Sequence, residues 1–147
     1  MKVQLTIALV AHDARKVDMV EWAIANAESL SKHKIICTGT TGGLIKEAFD
    51  KKGISADITR KNSGPMGGDA EIAALVVNKQ IDFCLFLIDD LSANPHEADI
   101  QMLLRQCRIH NVPIACNCYS ADLMITSPLW HSQEYSPSEP KYIPFKR

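Results

Sequence analysis

Apolar residues in this chain recur in two alternating patterns, and the alternation predicts the fold. Residues 3–11 (VQLTIALVA) are a short, nearly continuous apolar run, as expected of a strand covered on both faces. Residues 14–30 instead set Val17, Val20, Ala23, Ile24 and Ala27 on one side of a helix. The pair of patterns then repeats, as a strand at 33–37 with a helix from about 43 to 51, and a shorter strand at 54–59 with a helix at 69–78. Residues 81–88 (IDFCLFLI) are the most apolar run and read as the central strand. A helix over 96–110 carries Ile100, Leu103, Leu104 and Cys107 inward, a last strand is predicted at 113–117, and a short helix at 120–126.

Strands alternating with helices predict the α/β class: a three-layer, doubly wound parallel sheet of about five strands, of flavodoxin-like size. The pattern describes one domain over residues 1–147. Residues 127–147 hold four of the seven prolines and no helical period, so they read as an extended tail lying on a surface or a neighbouring subunit. Ligands of such sheets bind beyond the carboxyl ends of the strands. The chemically unusual residues fall there, at 12–13, 38–43, 63–69, 89–96 and 117–120.

Composition narrows the partners. A net charge of −1 offers no electrostatic basis for binding nucleic acid or an anionic membrane. No run approaches the ~20 apolar residues of a membrane span, and the first apolar run is too short for a signal peptide, so a cytoplasmic protein is expected. Five cysteines without paired C-x-x-C spacing argue against a disulfide framework and a structural zinc site. Cys116 and Cys118 could suggest a metal, but small buried thiols of a reducing cytosol are the better reading.

Four segments carry candidate chemistry. Thr38-Gly39-Thr40-Thr41-Gly42-Gly43 combines glycines, hydroxyls and a following helix N-terminus, which suits a phosphate; an ordinary turn capped by Thr40 or Thr41 is the alternative. It matches neither G-x-G-x-x-G nor the P-loop pattern. Ser63-Gly64-Pro65-Met66-Gly67-Gly68-Asp69 puts one carboxylate behind a glycine-rich loop; Asp69 could be a helix cap, but a cap needs no such loop. His12, Asp13 and Lys16 set an imidazole, a carboxylate and an ammonium beside the same crevice, although Asp13 could be a cap and Lys16 a solvated lysine. Asp89, His96 and Asp99 follow the most apolar strand, where a carboxylate is hard to explain structurally. His33, His110 and His131 have no such company and read as structural or exposed.

These blocks resemble the methylglyoxal synthases. The resemblance rests on IALVAHD at 7–13 with Lys16, TGTTG at 38–42, SGPMGGD at 63–69, the Asp89, Pro95, His96 and Asp99 set, and ITSP at 125–128. It implies conversion of dihydroxyacetone phosphate to methylglyoxal and phosphate, without metal or cofactor, in a homo-oligomer that is usually a hexamer. Phosphate would be both product and possible inhibitor. By position it implies that Asp69 is the base and that His96 serves the substrate's carbonyl and hydroxyl oxygens. His12, Lys16, Thr38, Gly39, Thr40, Thr41, Ser63 and Gly64 would surround the phosphate, and Asp13, Asp89 and Asp99 would be further active-site carboxylates. The tail departs from the family pattern, because its only arginine is Arg147, whereas the family places one where it reaches an adjacent subunit. The regulatory domain of carbamoyl phosphate synthetases resembles the same cradle, but an effector site has no need of Asp69 and His96. A receiver-type signalling domain would want a lysine near residues 116–120, and none stands there.

Overall fold

A computed structural model describes residues 4–130 and 138–144. Five parallel strands, β1 (Thr6–Ala11), β2 (Lys34–Cys37), β3 (Asp57–Arg60), β4 (Phe83–Leu87) and β5 (Ile114–Ala115), lie in the order β3-β2-β1-β4-β5. Chain order reverses between β1 and β4, which makes the gap beyond their carboxyl ends the switch-point crevice. Pairing there runs from Ile7 opposite Phe83 to Ala11 opposite Leu87.

The period-2 alternation of the strands divides the core in two. Ile7, Leu9, Phe83, Leu85 and Leu87 face one layer of helices: α1 (Lys16–Ala25), α2 (Ala27–Leu30), α3 (Gly39–Lys51) and α6 (Cys118–Ile125). Ala8, Val10, Cys84 and Phe86 face the other layer, α4 (Gly68–Val77) and α5 (Glu97–Ile109). Both faces of β1 and β4 are therefore covered, which is why these strands read as unbroken apolar runs.

The structure redraws several predicted boundaries. The helix expected over 14–30 is a 3-10 turn (Asp13–Arg15) followed by α1 and α2, broken at Asn26. There Asn26 Nδ2 donates to the Trp22 carbonyl at 2.9 Å and competes with the helix ladder. Helix α3 starts at Gly39, not near 43, because Gly42 N–H already bonds the Thr38 carbonyl at 2.9 Å. The last strand shrinks to two residues because Asn117 caps α6, its side chain accepting from Ser120 N–H at 2.7 Å. Of the five cysteines, Cys37, Cys84 and Cys107 are buried, but Cys116 is exposed and Cys118 half-buried at the start of α6, so the expectation of buried thiols holds for three.

His33 is buried and accepts from Leu5 N–H at 3.0 Å, while His110 meets Glu139 at 3.0 Å. His131 and Arg147 lie outside the described residues. The segment expected to be a tail from residue 127 begins as core: Trp130 is buried, edge-on to Phe83 and His33 at 5.2 and 5.7 Å. Residues 138–144 lie against the C-terminal end of α5, where Asn111 donates to the Ser138 carbonyl at 2.6 Å. Among the described residues no helix is long and apolar enough to cross a membrane. Trp130→Ala should destabilise the fold by about 3–5 kcal/mol, the usual result of emptying a buried aromatic site, and urea unfolding would measure it.

Candidate active site

A cavity of about 340 Å³ lies over the β1–β4 switch point and takes its walls from four strand ends. His12, Asp13 and Lys16 follow β1, Thr38 and Thr40 follow β2, Ser63 and Gly64 follow β3, and Asp89 and His96 follow β4. The topology thus gathers most of the sequence candidates into one site.

The start of α3 forms one wall. Its first intrahelical bond is made by Gly42 N–H, so the N–H groups of Thr40 and Thr41 precede the ladder, and Thr38 supplies no side-chain cap. No acidic residue stands in this first turn, leaving the positive end of the helix uncompensated. Thr40 lines the cavity, whereas Thr41 does not. Its buried hydroxyl turns inward and donates to the Ala11 carbonyl at 3.3 Å, tying α3 to β1. Gly39 does not line the cavity either, and its N–H bonds the Asn62 carbonyl at 3.2 Å.

The glycines serve packing more than ligand approach. Gly67 sits at φ +98°, which forms the left-handed turn into α4. A Cβ at Gly68 would fall 2.0 Å from the Asn62 carbonyl oxygen, so only glycine lets α4 begin here and carry Asp69 beneath the cavity. Gly64 alone faces the candidate chemistry. A Cβ there would lie 3.0 Å from His96 Nε2, which lines the cavity, and 3.3 Å from Asp69 Oδ1, which is buried behind it.

Asp69 is fully buried, and neither carboxylate oxygen has a hydrogen bond. His96 Nε2 approaches Oδ2 to 3.2 Å, but without the alignment of a hydrogen bond. Burial pushes the Asp69 carboxyl above the usual range; Asp99 adds to this, while His96 and Lys16 oppose it. Neither Asp69 nor Asp99 is itself part of the cavity lining.

His12 is held in one tautomer. Its Nδ1 accepts from Asp89 N–H at 2.9 Å, so the neutral ring carries its proton on Nε2. Burial, then His96 and Lys16, hold its pKa below the usual value and keep it neutral at physiological pH. The polar atoms of His12, Asp69 and His96 converge within 4.8 Å, close enough for a small cation. A protonated Nε2 is a donor and not a ligand, so this trio suits a carbonyl oxygen better than a metal ion.

The other carboxylates work at the margins. Lys16 Nζ bonds Asp13 at 2.7 Å and the Ala11 carbonyl at 3.0 Å, which fixes the ammonium in the cavity wall. The Asp13 side chain is 99% exposed, so it belongs to the rim, and Lys16 holds its carboxyl below the usual range. Asp89 accepts from Leu91 N–H at 3.0 Å, which shapes the loop that leads to His96. Sequence reasoning did not single out Asn94, which lines the cavity and donates from Nδ2 to the Asp89 carbonyl at 3.3 Å. A side-chain amide just before a proline was the available signal for this loop-stabilising role.

A carboxylate base beside imidazole donors, with a helix N-terminus and an ammonium across the cavity, is equipped to remove a proton next to the carbonyl of an anionic substrate. Residues 18–116 match the family of the MGS-like domain. The chain is 67% identical over 147 residues to the methylglyoxal synthase of Treponema socranskii, covering all of this chain and 93% of that protein. It is 42% identical to the methylglyoxal synthase of Pseudoalteromonas atlantica, over 95% of this chain and 99% of that one. A crystal structure of methylglyoxal synthase from Elizabethkingia anophelis NUHP1 superposes with a TM-score of 0.79 at 39% identity, over 90% of this chain and 84% of that one. The chain belongs to the methylglyoxal synthase family.

Because the fold raises the Asp69 pKa, this residue favours the folded state most when protonated and loses that contribution as pH rises through its folded value. Asp69→Asn should therefore stabilise the protein by about 1–3 kcal/mol at pH 8 and by much less at pH 4. Unfolding midpoints of the two proteins at the two pH values would check this.

Proposed function

We propose that Asp69 is the base with which this chain converts dihydroxyacetone phosphate to methylglyoxal and inorganic phosphate. The observation that carries the assignment is a fully buried carboxylate without hydrogen bonds, 3.2 Å from the cavity-lining imidazole of His96 and directly behind Gly64. Asp69 takes a proton from the carbon distal to the phosphate, and an enediolate forms. The C–O bond to phosphate then breaks, phosphate leaves with the electron pair, and the enol product tautomerises to the dicarbonyl. One C–H and one C–O bond are broken within a single substrate, so no external oxidant or reductant enters.

His96 and the Nε2–H of His12 serve the substrate's carbonyl and hydroxyl oxygens, where negative charge develops. Thr38, Thr40, Ser63, Gly64, the first N–H groups of α3 and Lys16 hold the phosphate. Triosephosphate isomerase opens the same substrate and then reprotonates the enediolate. Elimination instead requires the bond to phosphate to stand perpendicular to the enediolate plane, so the phosphate grip decides the product. The departing phosphate gains charge, so Lys16 and the helix N-terminus bind it more tightly in the transition state, which is what acceleration requires. Asp13 positions Lys16, Asp89 sets the His12 tautomer through its N–H, and Asp99 helps hold the base above its ordinary pKa.

The same reading takes the chain as one domain, residues 1–147 with a C-terminal tail, acting in the cytoplasm as a homo-oligomer, a hexamer by family resemblance, with product phosphate as an inhibitor. An effector-binding domain would share the phosphate cradle, but it has no use for a carboxylate buried beside His96.

Purified protein given dihydroxyacetone phosphate without added metal should release dicarbonyl and phosphate in equal amounts. Asp69→Asn should lower kcat by at least ~10²-fold; full activity in that variant would remove Asp69 from the role. The acid limb of kcat/KM should lie above the ordinary carboxylate range and disappear with Asp69, because protonating the base abolishes proton abstraction. Gly64→Ala places a methyl group between cavity and base, and its kcat/KM should fall by about 10²-fold.

A further inference from the structure

We infer that Arg60 is a positioning residue that clamps the two halves of the phosphate cradle at one spacing. The inference rests on the phosphate site proposed above. Arg60 is the last residue of β3, and its Nε–H donates to the Gly39 carbonyl at 2.9 Å. Its side chain then lies flat across the first turns of α3. A Cβ at Gly43 would stand 3.0 Å from Nη2 and 3.1 Å from Cζ, and one at Gly42 would stand 2.8 Å from Cγ. Gly42 and Gly43 therefore face the arginine.

The contact joins the two segments that form the cradle. Gly39 gives its carbonyl to Arg60 and its N–H to Asn62, and Lys61 N–H bonds the Cys37 carbonyl at 2.7 Å. Directly after Asn62 the chain supplies Ser63 and Gly64, while directly around Gly39 it supplies Thr38 and Thr40. Any shift of α3 along this seam changes the distance between the two halves.

The charge points to the same role. A cation beside a helix N-terminus opposes the helix dipole and weakens the unliganded helix. Here no carboxylate in the first turn compensates it. A bound anion does compensate it, so guanidinium, helix end and phosphate become mutually favourable only when the site is filled. A planar guanidinium can lie on glycine backbone while donating from Nε, and a lysine ammonium cannot do both.

Phosphate affinity tests the clamp. Arg60→Ala should raise both KM for dihydroxyacetone phosphate and the inhibition constant of inorganic phosphate by about three- to tenfold, with kcat within about twofold. Arg60→Lys, which keeps the charge, should recover less than half of the loss. Gly43→Ala, which favours the helix but displaces the guanidinium, should weaken phosphate binding without lowering the thermal midpoint. An unchanged phosphate constant in Arg60→Ala, or complete rescue by Arg60→Lys, would overturn the clamp. A wild-type chain that binds phosphate in calorimetry but does not turn over substrate would count against the proposed reaction alone, since calorimetry of the variants still reads the clamp.

Discussion

Everything in this site depends on keeping one carboxylate out of water. Asp69 lies at the start of α4 with no hydrogen bond to either oxygen, and burial is the largest cause of its raised pKa. A carboxylate in bulk water is a weak base, so the fold must withhold solvation to make it a useful one. That requirement explains several features that look unrelated in the chain. Gly68 lets α4 approach the Asn62 carbonyl and so sink Asp69, and Gly64 keeps a side chain from crowding His96 and Asp69. His96 stands beside the carboxylate without satisfying it.

The sheet supplies the second requirement, which is convergence. With strand order β3-β2-β1-β4-β5, the residues after β1 and β4 meet at the switch point, and those after β2 and β3 close one side. Charge is sorted across the resulting cavity. The positive end of α3 and the pinned ammonium of Lys16 lie in its walls, and the buried Asp69 carboxylate stands beside His96. Neutral His12 fits this division, since a second cation beside Asp69 would lower the very pKa that burial raises.

The glycine-rich motifs show where reading a chain in one dimension misassigns cause. Glycines at 39, 42 and 43 suggested backbone making room for a ligand. In three dimensions Gly39 makes room for residues 61–63, and Gly42 and Gly43 make room for Arg60. Thr41, in the middle of the same motif, turns away from the cavity to brace β1. The motif still walls the cavity through Thr38 and Thr40, but its composition reflects how α3 is seated.

The chain by itself determined the α/β class, the five strands, the placement of nearly every unusual residue at the carboxyl ends, and the family. These follow from periodicity and from local motifs, which a linear pattern carries in full. The break at Asn26, the early start of α3 and the shortened last strand escaped it, because each turns on a single competing hydrogen bond. Tertiary structure alone decided which candidates face the cavity. It set Asp13 at the rim, buried Asp69 and the Thr41 hydroxyl, left Gly39 and Asp99 off the lining, and brought in Asn94. It also decided protonation, since the His12 tautomer depends on an N–H contributed 77 residues away, and the basicity of Asp69 depends on water that the assembled layers exclude.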